Sequence, residues 1–233
     1  MQLTSERRQN PAMLLTALGP AVCCIALFVG LSACSDGNGN KKERNLTAGE
    51  VCDSTLDSSA IAGLQRIGNT QKFTELPGTD DSGEPNKFSL KRAASTIHEE
   101  MTQRNHCVVY KAGDTTGHPL IDVDFSAARY HPNSKKPAAD SSAELTIYPI
   151  GVYAVTHGSA SASLYFKCPT KDSEGTKPYI QASVHGSADQ VSAKATGKHS
   201  MDILNSVSRS MAKQLGCASQ ANLPTSVPLP EQS

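Results

Sequence analysis

Apolar positions along the chain follow three regimes. One uncharged apolar run fills residues 13–30, three-and-four spacing marks 58–67, 89–104 and 199–215, and alternation of period two marks much of the stretch between 107 and 185. Asp57-Ser58-Ser59 supplies an N-cap for a helix that runs through Ile67, with Ile61, Leu64 and Ile67 on one face and Gly68-Asn69 as its stop. Leu90, Ala94, Ile97 and Met101 step by four, three and four, which predicts a helix over 89–104. Leu204, Val207, Met211 and Leu215 predict a last helix over 199–215, closed by Gly216. Residues 107–111, 120–127, 144–156, 161–168 and 179–185 read as strands, and in the second Ile121, Val123 and Phe125 alternate with Asp122 and Asp124. Turn-rich residues place loops over 77–86, 131–142 and 169–177, and the prolines of 222–233 predict a disordered tail. The order is helix, helix, strands, helix. It implies an α+β fold, an antiparallel sheet of about five strands with helices packed on one face, spanning 50–218 and followed by a loose tail over 219–233.

The apolar run sits in the order of a bacterial secretory signal: Arg7-Arg8 ahead of it and small residues at its end. It closes on Leu31-Ser32-Ala33-Cys34, which looks like the lipobox of bacterial lipoproteins, a branched residue and two small ones before the cysteine that is diacylated. On this reading 1–33 is a cleaved signal, Cys34 carries the lipid and palmitate, and the polar stretch up to residue 49 is a flexible tether of roughly 20 Å reach. The partner so implied is the lipid bilayer, met on the extracytoplasmic face of the cell membrane. An uncleaved membrane helix is the alternative, although the run is only marginally long enough for a core of about 30 Å. A twin-arginine signal fits poorly, because Gln9-Asn10-Pro11 lacks the apolar positions it prefers.

Cysteine usage agrees with export. Cys23 and Cys24 fall in the signal, leaving Cys52, Cys107, Cys168 and Cys217 as an even set that reads as two disulfides. Three pairings are possible. Cys52 with Cys107 and Cys168 with Cys217 is the preferred one, since each bridge then clips a helix-bearing segment to a strand within one half of the chain. No metal is expected, because no CxxC occurs and the cysteines lie about fifty residues apart, whereas zinc sites draw two ligands from one short knuckle.

Composition narrows the rest. The 22 basic and 22 acidic side chains cancel, which gives no footing for nucleic acid, and aromatic residues are 5% of the chain with no Trp. Catalytic motifs are missing: there is no Gly-x-Ser-x-Gly elbow, the partner position of His98-Glu99 in a zinc-protease helix is Thr102, and no glycine-rich phosphate loop or dinucleotide fingerprint occurs. Ser210-Met211-Ala212-Lys213 matches Ser-x-x-Lys, without the companion boxes that would make it a penicillin-recognising site. Asp122 and Asp124, with Asp114 nearby in sequence, suggest a hard-cation cluster or simply a solvated strand face. His157-Gly158-Ser159-Ala160 recurs as His185-Gly186-Ser187-Ala188, each after a strand. The two histidines are therefore the candidate ligand-binding pair, against the plainer reading that His-Gly-Ser is a convenient strand exit.

The lipobox at 31–34, Gly49-Glu50-Val51-Cys52-Asp53-Ser54-Thr55-Leu56 at the start of the domain and Leu215-Gly216-Cys217 at its end resemble a loose class of actinomycete-type surface lipoproteins. That resemblance implies a location and no established activity. The sequence thus reads as a lipid-anchored extracytoplasmic binding or interaction domain without catalytic role or cofactor, its protein or small-molecule ligand unspecified. The alternatives are an envelope hydrolase using histidines at strand ends and a structural envelope scaffold.

Overall fold

The computed structural model describes residues 44–99, 102–133 and 145–231. All fall in one compact unit, Lys41–Ser233, while the expected signal and lipobox, Cys34 and most of the expected tether lie outside the described residues. Among the described residues no helix is long and apolar enough to cross a membrane. The fold is α+β, built on one antiparallel sheet of seven strands: β1 (Phe73–Glu75), β2 (Cys107–Lys111), β3 (Ile121–Ala128), β4 (Leu145–Ile147), β5 (Tyr153–His157), β6 (Ser161–Asp172) and β7 (Gly175–His185), in the order β1-β2-β3-β7-β6-β5-β4. Two meanders share this sheet, and β7 joins them by pairing with β3 from Asp122↔His185 to Ala128↔Tyr179.

Among the described residues four α-helices lie on one side of the sheet: α1 (Ser58–Gly68), α2 (Leu90–Ser95), α3 (Gly197–Gln214) and α4 (Ala218–Ala221). Asp57 caps α1 by accepting from the Ser59 and Ala60 amides at 3.1 and 3.0 Å. The inward set of the central strands, Val123, Phe125, Leu164, Phe166, Ile180 and Val184, is fully buried, and α3 packs on β5, β6 and β7. That helix lies between the sheet and α1, so residues 200–208 are buried on every side and not only along the apolar stripe. Two of its buried hydroxyls are paired across the helix packing: Ser206 donates to the Thr55 carbonyl and accepts from the Asp57 amide, and Ser200 donates to the Ser159 carbonyl, whereas Ser208 Oγ is buried without a partner.

The strand count corrects the expected five. The 144–156 segment is two strands, because Pro149 interrupts the ladder and Gly151 turns the chain at φ +61°. A Cβ there would stand 2.3 Å from the Tyr165 carbonyl oxygen, which also receives the Val152 amide at 2.8 Å. β1 is the second addition, three residues too few to carry a period. The loop expected over 169–177 is the tight end of a long hairpin, with Lys171 opposite Thr176 and Asp172 opposite Gly175. The helix expected over 89–104 stops at Ser95, since the Thr96 hydroxyl takes the Arg92 carbonyl, Asn105 Nδ2 bonds that hydroxyl in turn, and the Ile97 carbonyl is spent on Ala127 of β3. The tail is likewise packed: Asn205 Nδ2 donates to the Pro224 carbonyl, Val227 is buried, and the Glu231 amide bonds Ile147 at the free edge of β4.

Two disulfides close the domain with the preferred pairing. Cys52–Cys107 ties the turn before α1 to β2 (Cα–Cα 5.2 Å), and Cys168–Cys217 ties β6 to the start of α4 (5.3 Å). The first begins a turn in which Cys52, Asp53 and Ser54 all adopt left-handed φ of 53°, 57° and 56°. Such a run costs L-residues about 1–2 kcal/mol each. It is held by the bridge, by Glu75 accepting the Cys52 amide at 2.9 Å, and by Asp53 accepting the first amide of α2 at 3.0 Å.

Candidate functional site: a polar row across the sheet

Strand register determines which side chains meet on the face away from the helices. Pairing of His157 with Ser161, Ser161 with His185 and His185 with Asp122 puts these four in one row across β5, β6, β7 and β3. Side chains alternate faces along a strand, and Asp122 lies between the inward Ile121 and Val123, so the row projects outward. Asp124, opposite Ser183, is the next outward position, and His106 enters from the residue before β2.

The row is linked by hydrogen bonds. Ser161 Oγ and His185 Nδ1 share one at 3.1 Å, and His106 Nδ1 meets Asp122 Oδ1 at 3.0 Å. That bond to Asp122 holds the His106 imidazole above its ordinary value, against burial and with help from the charges of Asp122 and Asp124. Burial pushes Asp124 above the usual carboxylate range; His106 and His185 pull it back, and Asp122 adds to the rise. Two carboxylates and two imidazoles thus sit in mutual electrostatic reach.

His157 and His185, the pair raised by the sequence echo, share the face and the row. They are two strands apart, about 10 Å at the usual strand spacing, with Ser161 between them. Asp122 and Asp124 belong to the same patch. Asp114 does not, because it is held in the β2–β3 loop, where its carboxylate accepts the Thr116 amide and hydroxyl, the hydroxyl bond first in holding its titration low. Among the described residues no group of three or more His, Cys, Asp or Glu side chains is arranged to hold a metal ion. Sequence reasoning missed His106, Ser161 and Ser183. Once the β6–β7 hairpin is in register, parity alone puts Ser161 and Ser183 on the histidine face.

As a surface for recognition the row offers alternating donors and acceptors, flanked toward the hairpin end by Tyr153 and Tyr165, whose rings meet edge to face at 6.0 Å. Compared with known families, curated proteins and solved structures, the chain matches none of them, so geometry and sequence carry the functional reading together.

Proposed function

We propose that the protein is a non-catalytic binding domain, held outside the cytoplasmic membrane by a diacylglyceryl group on Cys34, that meets its ligand across the polar row of the sheet. The observation that carries this reading is the use of all four cysteines of the domain in two buried bridges, so that Cys34 is the cysteine after the expected signal that stands outside them. Bridges of this kind suit an oxidising compartment. The row supports the binding half of the reading, since its polar groups lie side by side on one face of the sheet. Replacing Cys34 by Ala tests the anchor: palmitate labelling should vanish and the protein should leave the membrane fraction. Retention of the variant in the membrane would instead favour an uncleaved helix.

A second reading, an envelope hydrolase, rests on the Ser161–His185 hydrogen bond with Asp122 on the next strand. Against it, Asp122 is already engaged by His106. A fluorophosphonate that labels Ser161 and is blocked by His185→Ala would establish this second reading in place of the first.

A further inference from the structure

A cleft on the helical side of the molecule goes beyond that reading. Its floor is one stripe of α3, with Ser206, Arg209, Ser210 and Lys213 at helical spacing, and its volume is about 510 Å³, within the range of pockets that hold drug-sized ligands. One wall is apolar, made by Ala218, Ala221 and Leu223, and the wall on the α1 side is mixed, with Leu56 between Thr55 and Asp57. The Ser-x-x-Lys pattern seen in the sequence therefore lies on a pocket floor.

The charges there are unbalanced. Arg209 Nη1 meets Asp57 Oδ2 at 3.2 Å and the Thr225 carbonyl at 3.4 Å, so one carboxylate offsets one of the two cations. Among the described residues neither Ser210 nor Lys213 makes a side-chain hydrogen bond or ion pair, and Lys213 is exposed. The Ser206 hydroxyl, by contrast, is fully used by Asp57 and Thr55. The pocket thus presents one uncompensated positive charge and a free hydroxyl beside an apolar wall.

We infer that this cleft binds a small amphiphilic anion, a carboxylate or phosphate monoester on an apolar chain. Lys213, Ser210 and the outer edge of Arg209 receive the headgroup, and the chain lies against Leu56, Ala221 and Leu223. Ion pairing alone in an open cleft is weak because of solvent screening. Burial of the chain supplies the rest, at about 0.8 kcal/mol per methylene.

The test uses the full chain in phosphatidylcholine nanodiscs, titrated calorimetrically with octyl phosphate and octanoate. Two variants serve as references for partition into the lipid: Lys213→Glu reverses the free charge, and Ala218→Phe narrows the cleft. Both positions are exposed and without side-chain partners, so unfolding temperatures should match the parent. The inference expects saturable binding of at least one anion, weakened tenfold or more by each variant. It also expects octanol and inorganic phosphate to bind at least tenfold more weakly. Preference for octyl phosphate would mark a phospholipid-like headgroup and preference for octanoate a free fatty acid, either of which supports the site. Equal binding of octanol, equal binding of inorganic phosphate, indifference to both variants, or no saturable binding would each overturn it. None of these results depends on whether Cys34 carries a lipid or the sheet face binds a ligand.

Discussion

At the scale of single residues the polar row makes two predictions about pH, in which the two substitutions change stability in opposite directions. His106 titrates above its unfolded value because of Asp122, so the pair stabilises the fold fully below about pH 6.5 and loses that contribution as pH rises through the higher folded value. In Asp122→Asn, NMR should show His106 titrating lower. The loss of stability should be about 0.5 kcal/mol in mild acid after allowance for solvent screening, and nil at alkaline pH. Asp124 is also raised, and its folded form prefers the proton, so its contribution is complete below about pH 3.9 and turns against the fold as the carboxylate ionises. Asp124→Asn should therefore raise the unfolding temperature by about 2–4 °C at pH 7.5 and leave it unchanged at pH 3. A stabilisation equal at both values would mean that Asp124 acts through packing rather than through its charge.

At the scale of elements, what was legible in the chain depended on how many residues repeated a period. α1 and α3 emerged because each presents several apolar residues at helical spacing ahead of a glycine or asparagine stop, and α1 has Asp57 as its cap as well. β3 emerged because Ile121, Val123 and Phe125 alternate with acids, and the same alternation placed Asp122 and Asp124 on the outward face. Short or interrupted elements did not emerge. β1 has three residues, and β4 is separated from β5 only by Pro149 and Gly151 inside an otherwise apolar stretch. α2 was read too long because Leu90, Ala94, Ile97 and Met101 keep helical spacing, whereas Thr96 and Asn105 divert its carbonyls through contacts that spacing cannot express. The candidate site was half legible for a related reason: its residue types stand in the sequence, but their neighbours are decided by register across β6 and β7. Gly151 tests the least legible of these features. Gly151→Ala puts an L-residue at φ +61° and a methyl group against the Tyr165 carbonyl, and should cost roughly 3 kcal/mol. An unchanged melting curve would show that the β4–β5 turn is free to relax.

At the scale of the whole molecule, stability and solubility both depend on how the chain is closed upon itself. Each disulfide spans about fifty residues, and the chain-entropy relation assigns such a loop about 4 kcal/mol, a large share of the 5–15 kcal/mol typical of a domain. The Cys168→Ser, Cys217→Ser double variant should thus melt about 8–16 °C lower, and a drop of a degree or two would mean that α4 and the tail hold β6 without the bridge. The edges are closed by the chain's own flanks rather than by covalent bonds. Leu46 exchanges hydrogen bonds with Phe73 of β1 at 2.8 and 2.9 Å, and the Glu231 amide bonds Ile147 of β4 at 2.9 Å. Unpaired edges invite strand addition from other molecules, so the ordered tail guards one end of the sheet. Deleting 224–233 removes that guard, exposes the site of Val227 and leaves Asn205 Nδ2 buried without its acceptor. These losses together are worth about 3–5 kcal/mol from burial and hydrogen bonding. The truncated chain should melt lower and associate with rising concentration in light scattering. If it stayed monomeric with the parent melting temperature, the tail would be an ornament on β4, and protection of that edge would have to come from the strand's own shortness.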